Sequence, residues 1–335
     1  MRVLVYEFIT GGGLIGAPLP LTLLREGAMM RDALLADLAS LSEINVTLMR
    51  DLRCPWPETE IPINRIEPRS DETAMAYFQR ALSDVDLVWP ISPESDDALR
   101  RLAAVARAAG KKVMLSDAAT LAICTSKYET ARVLSEAGIQ VVQTYRSLAG
   151  VTRPNGKWVS KPDDGSGGEG IRLWPSRDAA FQACMAESQY RSVFQPWCSG
   201  ESLSLSLLCS SGAACLLSIN RHDISWEKEG VVLDGITVNA YPCDAERFQI
   251  LSQRIAETLP GLWGYIGVDL IRMDDGTLTV LEINPRLTTS YCGLHAALGI
   301  NVARALLRRV GDDTLPQLKF STSHSIELNL AIPHA

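Results

Sequence analysis

Residues 278–294, LTVLEINPRLTTSYCGL, set a carboxylate and an amide two positions apart inside an apolar run, with Pro285-Arg286 directly after. Residues two apart on a strand share a face. Glu282 and Asn284 are therefore predicted to present hard oxygen atoms side by side, the donors that a magnesium ion holding phosphates takes. Upstream, GYIGVDLIRM carries Asp269 and leads into Asp274-Asp275-Gly276. Asp-Gly between two apolar runs signals a hairpin. A two-residue Asp275-Gly276 loop pairs Asp274 with Thr277, and counting outward sets Asp269 opposite Glu282. The three side chains then converge on one spot, and a slip of one residue would separate them. The competing reading makes Glu282 a surface strand residue and Asn284-Pro285 a turn. It is the weaker one, because carboxylates inside apolar runs are seldom buried without a partner.

The rest of the 335-residue chain fits two or three packed units. A hydrophobic content of 47% with 21% charged residues describes an ordinary globular protein. A net charge of -7 gives no support for nucleic-acid binding. Eight cysteines (54, 124, 184, 198, 209, 215, 243 and 292) are scattered without a CxxC pair or clustering with the four histidines, as in reduced cytosolic proteins. The opening MRVLVYEFITGGG is broken too early by glycine for a secretory leader, and no run approaches the roughly 20 apolar residues of a membrane helix. A cytoplasmic location is expected.

Strands over 3–8, 45–49, 84–89 and 112–115 alternate with helices over 23–41 and from Ser92-Pro93-Glu94 to about 109. That alternation predicts a parallel α/β sheet over 1–115. Ligands of such sheets bind beyond the carboxyl ends of the strands, which puts 7–13 and 90–95 at a site rim. Ser92-Pro93-Glu94 reads as a helix start. Gly11-Gly12-Gly13 suggests close backbone approach to a ligand or a flexible cover.

Residues 117–137 read as one helix containing Lys127. The stretch 158–174, WVSKPDDGSGGEGIRLW, ends a strand on Lys161, passes through Gly165, Gly167, Gly168 and Gly170, and returns as a strand. Backbone N–H groups of such a hairpin can cover phosphates. No Gly-Lys-Ser/Thr closes it and no helix follows, so neither the P-loop nor the dinucleotide fingerprint applies. Further strands are expected over 192–197, 203–208, 213–220 and 323–332, with helices over 246–259 and 301–310. The four histidines, His222 and His295 among them, read as structural or exposed.

In this order, Lys127, the Lys161 hairpin, Gln195 to Glu201, and Asp269 with Glu282 and Asn284 resemble an ATP-grasp domain over about 116–310. The opening VLVYEFITGGGL resembles a narrower group, the tyramine–glutamate ligases of methanofuran biosynthesis. The implied fold is α/β, becoming α+β in the C-terminal part. A pre-ATP-grasp unit (1–115) would precede a central subdomain with the glycine hairpin (116–190) and a C-terminal subdomain with the metal site (191–335).

By that resemblance Lys127 and Lys161 contact ATP phosphates, with Gly167 and Gly168 above them. Gln195, Trp197 and Cys198 line the adenine slot, and Glu201 accepts from the ribose. Asp269, Glu282 and Asn284 hold two Mg2+ ions, with Mn2+ an acceptable substitute. Some relatives carry arginine where this chain has Gly267, so charge on the transferred phosphoryl group falls to Arg286 or Arg221. Leu287 to Tyr291 would wall the acceptor pocket. The implied activity is amide formation between glutamate, activated as an acyl phosphate, and tyramine or a tyrosine-like amine. Neither membrane nor nucleic acid is implied as a partner, and a homodimer is compatible. Another carboxylate–amine pair, such as two amino acids, would use the same fold and metal site, and a non-catalytic nucleotide-binding regulator is a third reading. ATP turnover separates that regulator from both enzymes.

Overall fold

The computed structural model describes all residues except 70, 153–155, 166, 169, 187–191, 228–229, 313, 316–317, 319–321 and 332–335. Ser166 and Glu169 of the glycine stretch, the expected boundary at 190/191 and the end of the last strand lie outside the described residues.

The first unit comprises β1 (Arg2–Glu7), α1 (Leu21–Ala39), β2 (Asn45–Met49), β3 (Ile63–Ile66), α2 (Ala74–Ala81), β4 (Leu87–Ile91), α3 (Ala98–Ala108) and β5 (Lys112–Val113). Its five strands form the expected parallel sheet in the order β3-β2-β1-β4-β5. β1 and β4 are apolar runs buried along nearly their whole length, as strands covered on both faces must be.

The second unit contains α4 (Ala118–Thr125), α5 (Lys127–Glu136), β6 (Trp158–Pro162), β7 (Arg172–Trp174), α6 (Arg177–Ala186) and β8 (Ser192–Pro196), with an antiparallel sheet β7-β6-β8. The third contains β9 (Glu201–Ser210), β10 (Ala213–Glu227), β11 (Gly230–Val238), α7 (Ala245–Thr258), β12 (Gly264–Arg272), β13 (Leu278–Asn284), α8 (Tyr291–Leu298), α9 (Val302–Leu307) and β14 (Ile326–Asn329). Its strands make an antiparallel sheet in the order β13-β12-β9-β10-β11-β14.

Four sequence expectations are corrected. The helix expected over 117–137 is two helices, because the Ser126 side chain caps α5 by accepting from Glu129 N. Ser92-Pro93-Glu94 leads into a short 3-10 turn over Ser95–Asp97 rather than straight into the helix: α3 begins at Ala98, after Asp96 and Asp97 at positive φ (53° and 62°). The strand expected over 84–89 lies at Leu87–Ile91. Gly11-Gly12-Gly13 lines neither of the two main cavities. It is a packed turn, in which a Cβ on Gly11 would lie 2.4 Å from the Glu7 carbonyl and one on Gly13 2.4 Å from the Phe8 ring.

The largest core joins the first and third units, running from Val3, Leu34 and Leu38 to Leu208, Tyr265, Leu294 and Ala303. Asp37 on α1 seals that junction by accepting from Tyr291 Oη (2.6 Å) and Asn301 Nδ2 (2.6 Å) and meeting His295 Nδ1 (2.6 Å). The β6–β8 sheet instead packs its own cluster of Leu148, Trp158, Ala180 and Phe194.

α1 crosses β1 at Gly27, where a Cβ would come within 2.5 Å of the Glu7 carboxylate. That carboxylate is fixed by Ile9 N, Thr10 N and Thr10 Oγ1, so it cannot retreat. Gly→Ala inside a helix ordinarily gains up to about 1 kcal/mol. Here overpacking reverses the sign. Gly27→Ala is expected to lose about 1–3 kcal/mol in urea unfolding, and a gain would show that Glu7 is free to move.

Candidate active site

The β12–β13 hairpin pairs Asp269 with Glu282 and Gly267 with Asn284. The expected convergence holds, by a route the residue count did not contain. The turn is one residue longer than expected, with Met273 N bonded to Thr277 O and Arg272 opposite Leu278. An irregularity between Asp269 and Leu270 then shifts the register back by one, leaving Leu281 unpaired. The two offsets cancel. Asn284 Nδ2 donates to Asp269 Oδ2 at 2.9 Å, which closes the set.

Two lysines reach this hairpin from the second unit. Lys127, the first residue of α5, places Nζ 3.1 Å from Glu282 Oε2 and also bonds the Gly165 carbonyl. Lys161 sits buried on β6. Asp163 holds the two elements together: it accepts from Ser126 Oγ (2.9 Å), Tyr128 N (2.9 Å) and Arg146 Nη2 (3.2 Å), while its carbonyl accepts from Lys127 N (3.0 Å).

Asp269 and Glu282 lie where two cavities meet. The larger, 520 Å³, runs between the β6–β8 sheet and the third unit and is lined by Lys127, Lys161, Gly167, Gly168, Gln195, Trp197 and Cys198. Its apolar walls include Val159, Ile171, Trp226 and Ile271. The tip of the glycine hairpin meets the β10–β11 hairpin over this slot, where a Cβ on Gly168 would lie 3.1 Å from Val231 O. The smaller cavity, 150 Å³, lies on the other side and draws residues from the first unit (Glu7, Glu26, Ser92) and the third (His222, Asn284, Arg286, Thr288, Thr289, Ser290).

Residues 124–290 match the ATP-grasp domain family, and residues 44–121 match the pre ATP-grasp 3 domain. The chain is an ATP-grasp protein. The chain is 26% identical over 296 residues to a tyramine–L-glutamate ligase of Methanocaldococcus jannaschii, covering 88% of this chain and 85% of that one. The like-named protein of Methanocaldococcus fervens is 25% identical, with 88% and 90% covered. Among solved structures, an ATP-grasp superfamily protein of Archaeoglobus fulgidus superposes with a TM-score of 0.72 at 22% identity, covering 98% of this chain and 92% of that one. The L-amino acid ligase of Bacillus licheniformis superposes with a TM-score of 0.64 at 17% identity, covering 94% and 74%.

Within this ATP-grasp frame the structure gathers Lys127, Lys161, Gly167, Gly168, Gln195, Trp197 and Cys198 around the larger cavity and Asn284 and Arg286 around the smaller. Gln195 Nε2 donates to Thr144 Oγ1 at 2.9 Å. Two expected residues fall elsewhere. Glu201 lines neither cavity; its carboxylate is held by Tyr241 Oη and Arg272 Nη2, while its neighbours Gly200 and Ser202 do line the slot. Arg221 sits within β10 on the face opposite His222, near Asp223 (3.3 Å) and donating to Thr237 Oγ1 (3.2 Å). Strand alternation turned the arginine away and the histidine in. Of 287–291, the residues Thr288, Thr289 and Ser290 line the smaller cavity, while Leu287 and Tyr291 are buried in the core. Gly267 has no room for an arginine: a Cβ there would lie 2.5 Å from the Thr288 methyl.

Glu26 is the lining residue that the sequence did not single out, whereas Glu94 falls within the expected 90–95 rim and His222 was read as structural or exposed. Glu94 receives Arg286 in a two-point ion pair at 3.0 and 2.8 Å, both side chains largely buried. His222 accepts or donates at Ser204 Oγ (2.9 Å) and lines both cavities. Burial lowers the imidazole to about 4, so it is neutral at pH 7. Only a charged residue after a proline, and a histidine in a strand, signalled either one.

Burial and the neighbouring charge of Glu282 raise the Asp269 carboxyl. Burial would raise Glu282 also, but the ammonium groups of Lys127 and Lys161 outweigh it and hold that carboxyl low. Two acids with hard oxygens, one unwilling to ionise beside the other, together with an amide oxygen available by rotation, are a donor set that fits Mg2+. Among the described residues no group of three or more His, Cys, Asp or Glu forms a rival site.

Burial lowers the Lys161 ammonium to about 8. A phosphate favours the charged form, so nucleotide affinity should fall above pH 8 by up to about tenfold per pH unit, the limit for one linked proton. Calorimetric titration with a non-hydrolysable ATP analogue from pH 7 to 9.5 checks this. Lys161→Met should bind more weakly and lose the slope, and a slope that survives would assign it to another group.

Proposed function

We propose that this protein is an ATP-dependent ligase that activates glutamate as an acyl phosphate and joins it to tyramine or a tyrosine-like amine, as in methanofuran-type cofactor synthesis. One observation carries the reading: the Asp269–Glu282–Asn284 set and two lysines stand at the meeting point of a nucleotide-sized slot and a small second cavity. The names of the two relatives supply the substrate pair.

In this reading ATP lies in the larger cavity with its base against Val159, Ile271 and Gln195 and its phosphates toward Lys127 and Lys161. Asp269, Glu282 and Asn284 would hold Mg2+, which when bound neutralises phosphate charge and aligns the γ-phosphoryl group. Arg286, already aimed by Glu94, faces the carboxylate of glutamate or the transferred phosphoryl group from the smaller cavity. A glutamate carboxylate oxygen attacks the γ-phosphorus and ADP leaves. The amine nitrogen then attacks the acyl carbon and inorganic phosphate departs. Acyl phosphates hydrolyse readily, so the hairpin carrying Gly167 and Gly168 serves to exclude water while the intermediate exists.

An ADP-release assay with glutamate and a panel of aromatic amines tests this directly. Amine-dependent ADP formation is expected, strongest with tyramine, and its absence across the panel would remove the assignment. Glu282→Gln keeps the side-chain shape and should leave the unfolding midpoint within a few degrees while abolishing metal-dependent turnover. A Glu282→Gln enzyme with most of its activity would contradict the metal assignment.

A further inference from the structure

The smaller cavity holds more negative charge than the metal set accounts for. Besides Asp269 and Glu282 it is lined by Glu7 and Glu26, and Arg286, the one guanidinium among its described lining residues, is already paired with Glu94. Glu7 is fully occupied, its two oxygens taking three hydrogen bonds from Ile9 and Thr10. Glu26 is not. Its Oε2 accepts from Thr289 Oγ1 at 2.9 Å, and among the described residues nothing donates to Oε1. The side chain is partly buried at the point where the two cavities join. Leu23, Met30, Ile9 and Ile91 beside it give an apolar lining. A carboxylate with one open oxygen over an apolar chamber is the complement of a primary ammonium on a hydrophobic body.

We propose that Glu26 binds the ammonium group of the amine substrate and takes its proton as the nitrogen attacks the acyl phosphate. This rests on the ligase reading above. Ammonium has no lone pair and cannot attack. Transfer of one proton to the Glu26 carboxylate leaves a neutral amine, whose electron pair forms the C–N bond. The C–O bond to phosphate breaks with its electrons on the departing phosphate, which takes the second nitrogen proton. Glu26 then returns its proton to solvent. Burial raises the Glu26 carboxyl, with the Thr289 hydrogen bond and then the charge of Arg286 opposing, which makes it a better proton acceptor than a free carboxylate. The charged and titratable groups around it are Arg286 from the β13–α8 loop, Cys292 from α8, and, lining the same cavity, Glu7 from β1, His222 from β10, and Asp269 and Glu282 from the hairpin.

Glu26→Gln keeps both the shape and the Thr289 hydrogen bond. With glutamate and ATP saturating, kcat/KM for tyramine should fall about 10²- to 10⁴-fold, the usual weight of a positioned base, with KM for ATP and glutamate within about twofold. The variant's rate should climb as pH approaches the ionisation of a primary amine, about 10, because free amine no longer needs the base. Wild type should lack that climb. Unchanged tyramine parameters overturn the proposal, as does a loss confined to KM for glutamate, which would assign Glu26 to the ammonium of that substrate instead. Absence of any amine-dependent turnover in wild type sinks the ligase reading rather than this one. Tyramine binding by calorimetry then decides: binding lost on Glu26→Gln supports the ammonium site, and equal binding, or none to wild type, overturns it.

Discussion

Two carboxylates facing each other across one hairpin, Asp269 and Glu282, are what the rest of the molecule is arranged around. Unit charges 4 Å apart repel by about 4 kcal/mol at the effective dielectric of a protein surface. The chain must therefore deliver cations to that point before any ligand arrives. It does so twice from the second unit: the break between α4 and α5 points Lys127 at Glu282, and β6 carries Lys161 next to its last residue. Asp163, which clasps Ser126 and Tyr128, locks those two deliveries to each other. A site charged this way in the resting protein is already complementary to a metal ion bearing phosphates, so little reorganisation is left for binding.

The parallel first sheet, the glycine hairpin and the carboxylate set were legible because each is written in local pattern: buried apolar runs, a glycine-rich turn, and side chains two apart on a strand. The hairpin count shows the limit of such reading. A turn one residue longer and a compensating irregularity beside Asp269 leave the same pairing, and no residue type announces either. Ser126 capping a second helix within 117–137 was visible as a residue but not as a break, because tertiary bonds to Asp163 make the break favourable. Glu94 and Arg286 are 192 positions apart, Glu26 and Thr289 263 apart, and contacts that distant leave no local signature. The opposite orientations of Arg221 and His222 were not legible for a single reason. Which of two adjacent strand residues faces a cavity depends on pairing that the segment itself does not encode.

The smaller cavity is composite. Its walls come from α1 and the ends of β1 and β4 on one side and from β10 and the 288–290 loop on the other, so neither unit alone forms it. The Glu94–Arg286 pair crosses that seam, and removing one partner would leave a largely buried charge unpaired at a cost of about 3–5 kcal/mol. That junction also touches the larger slot, since Glu26 of α1 lines both cavities and Leu23 lies against Gly167.

The first and third units share one core and are sealed by Asp37 against Tyr291, His295 and Asn301, whereas the β6–β8 sheet packs on a cluster of its own. That asymmetry gives the molecule an anvil and a hammer. The carboxylate pair and most of the composite cavity's lining belong to the anvil, with Gly167 of the glycine hairpin completing that lining. Lys161, Gln195 and the glycine hairpin ride on the hammer. The width of the slot between them is therefore set by the contacts that hold the β6–β8 sheet in place, Asp163 against Ser126 and Tyr128 and the glycine hairpin against the β10–β11 hairpin.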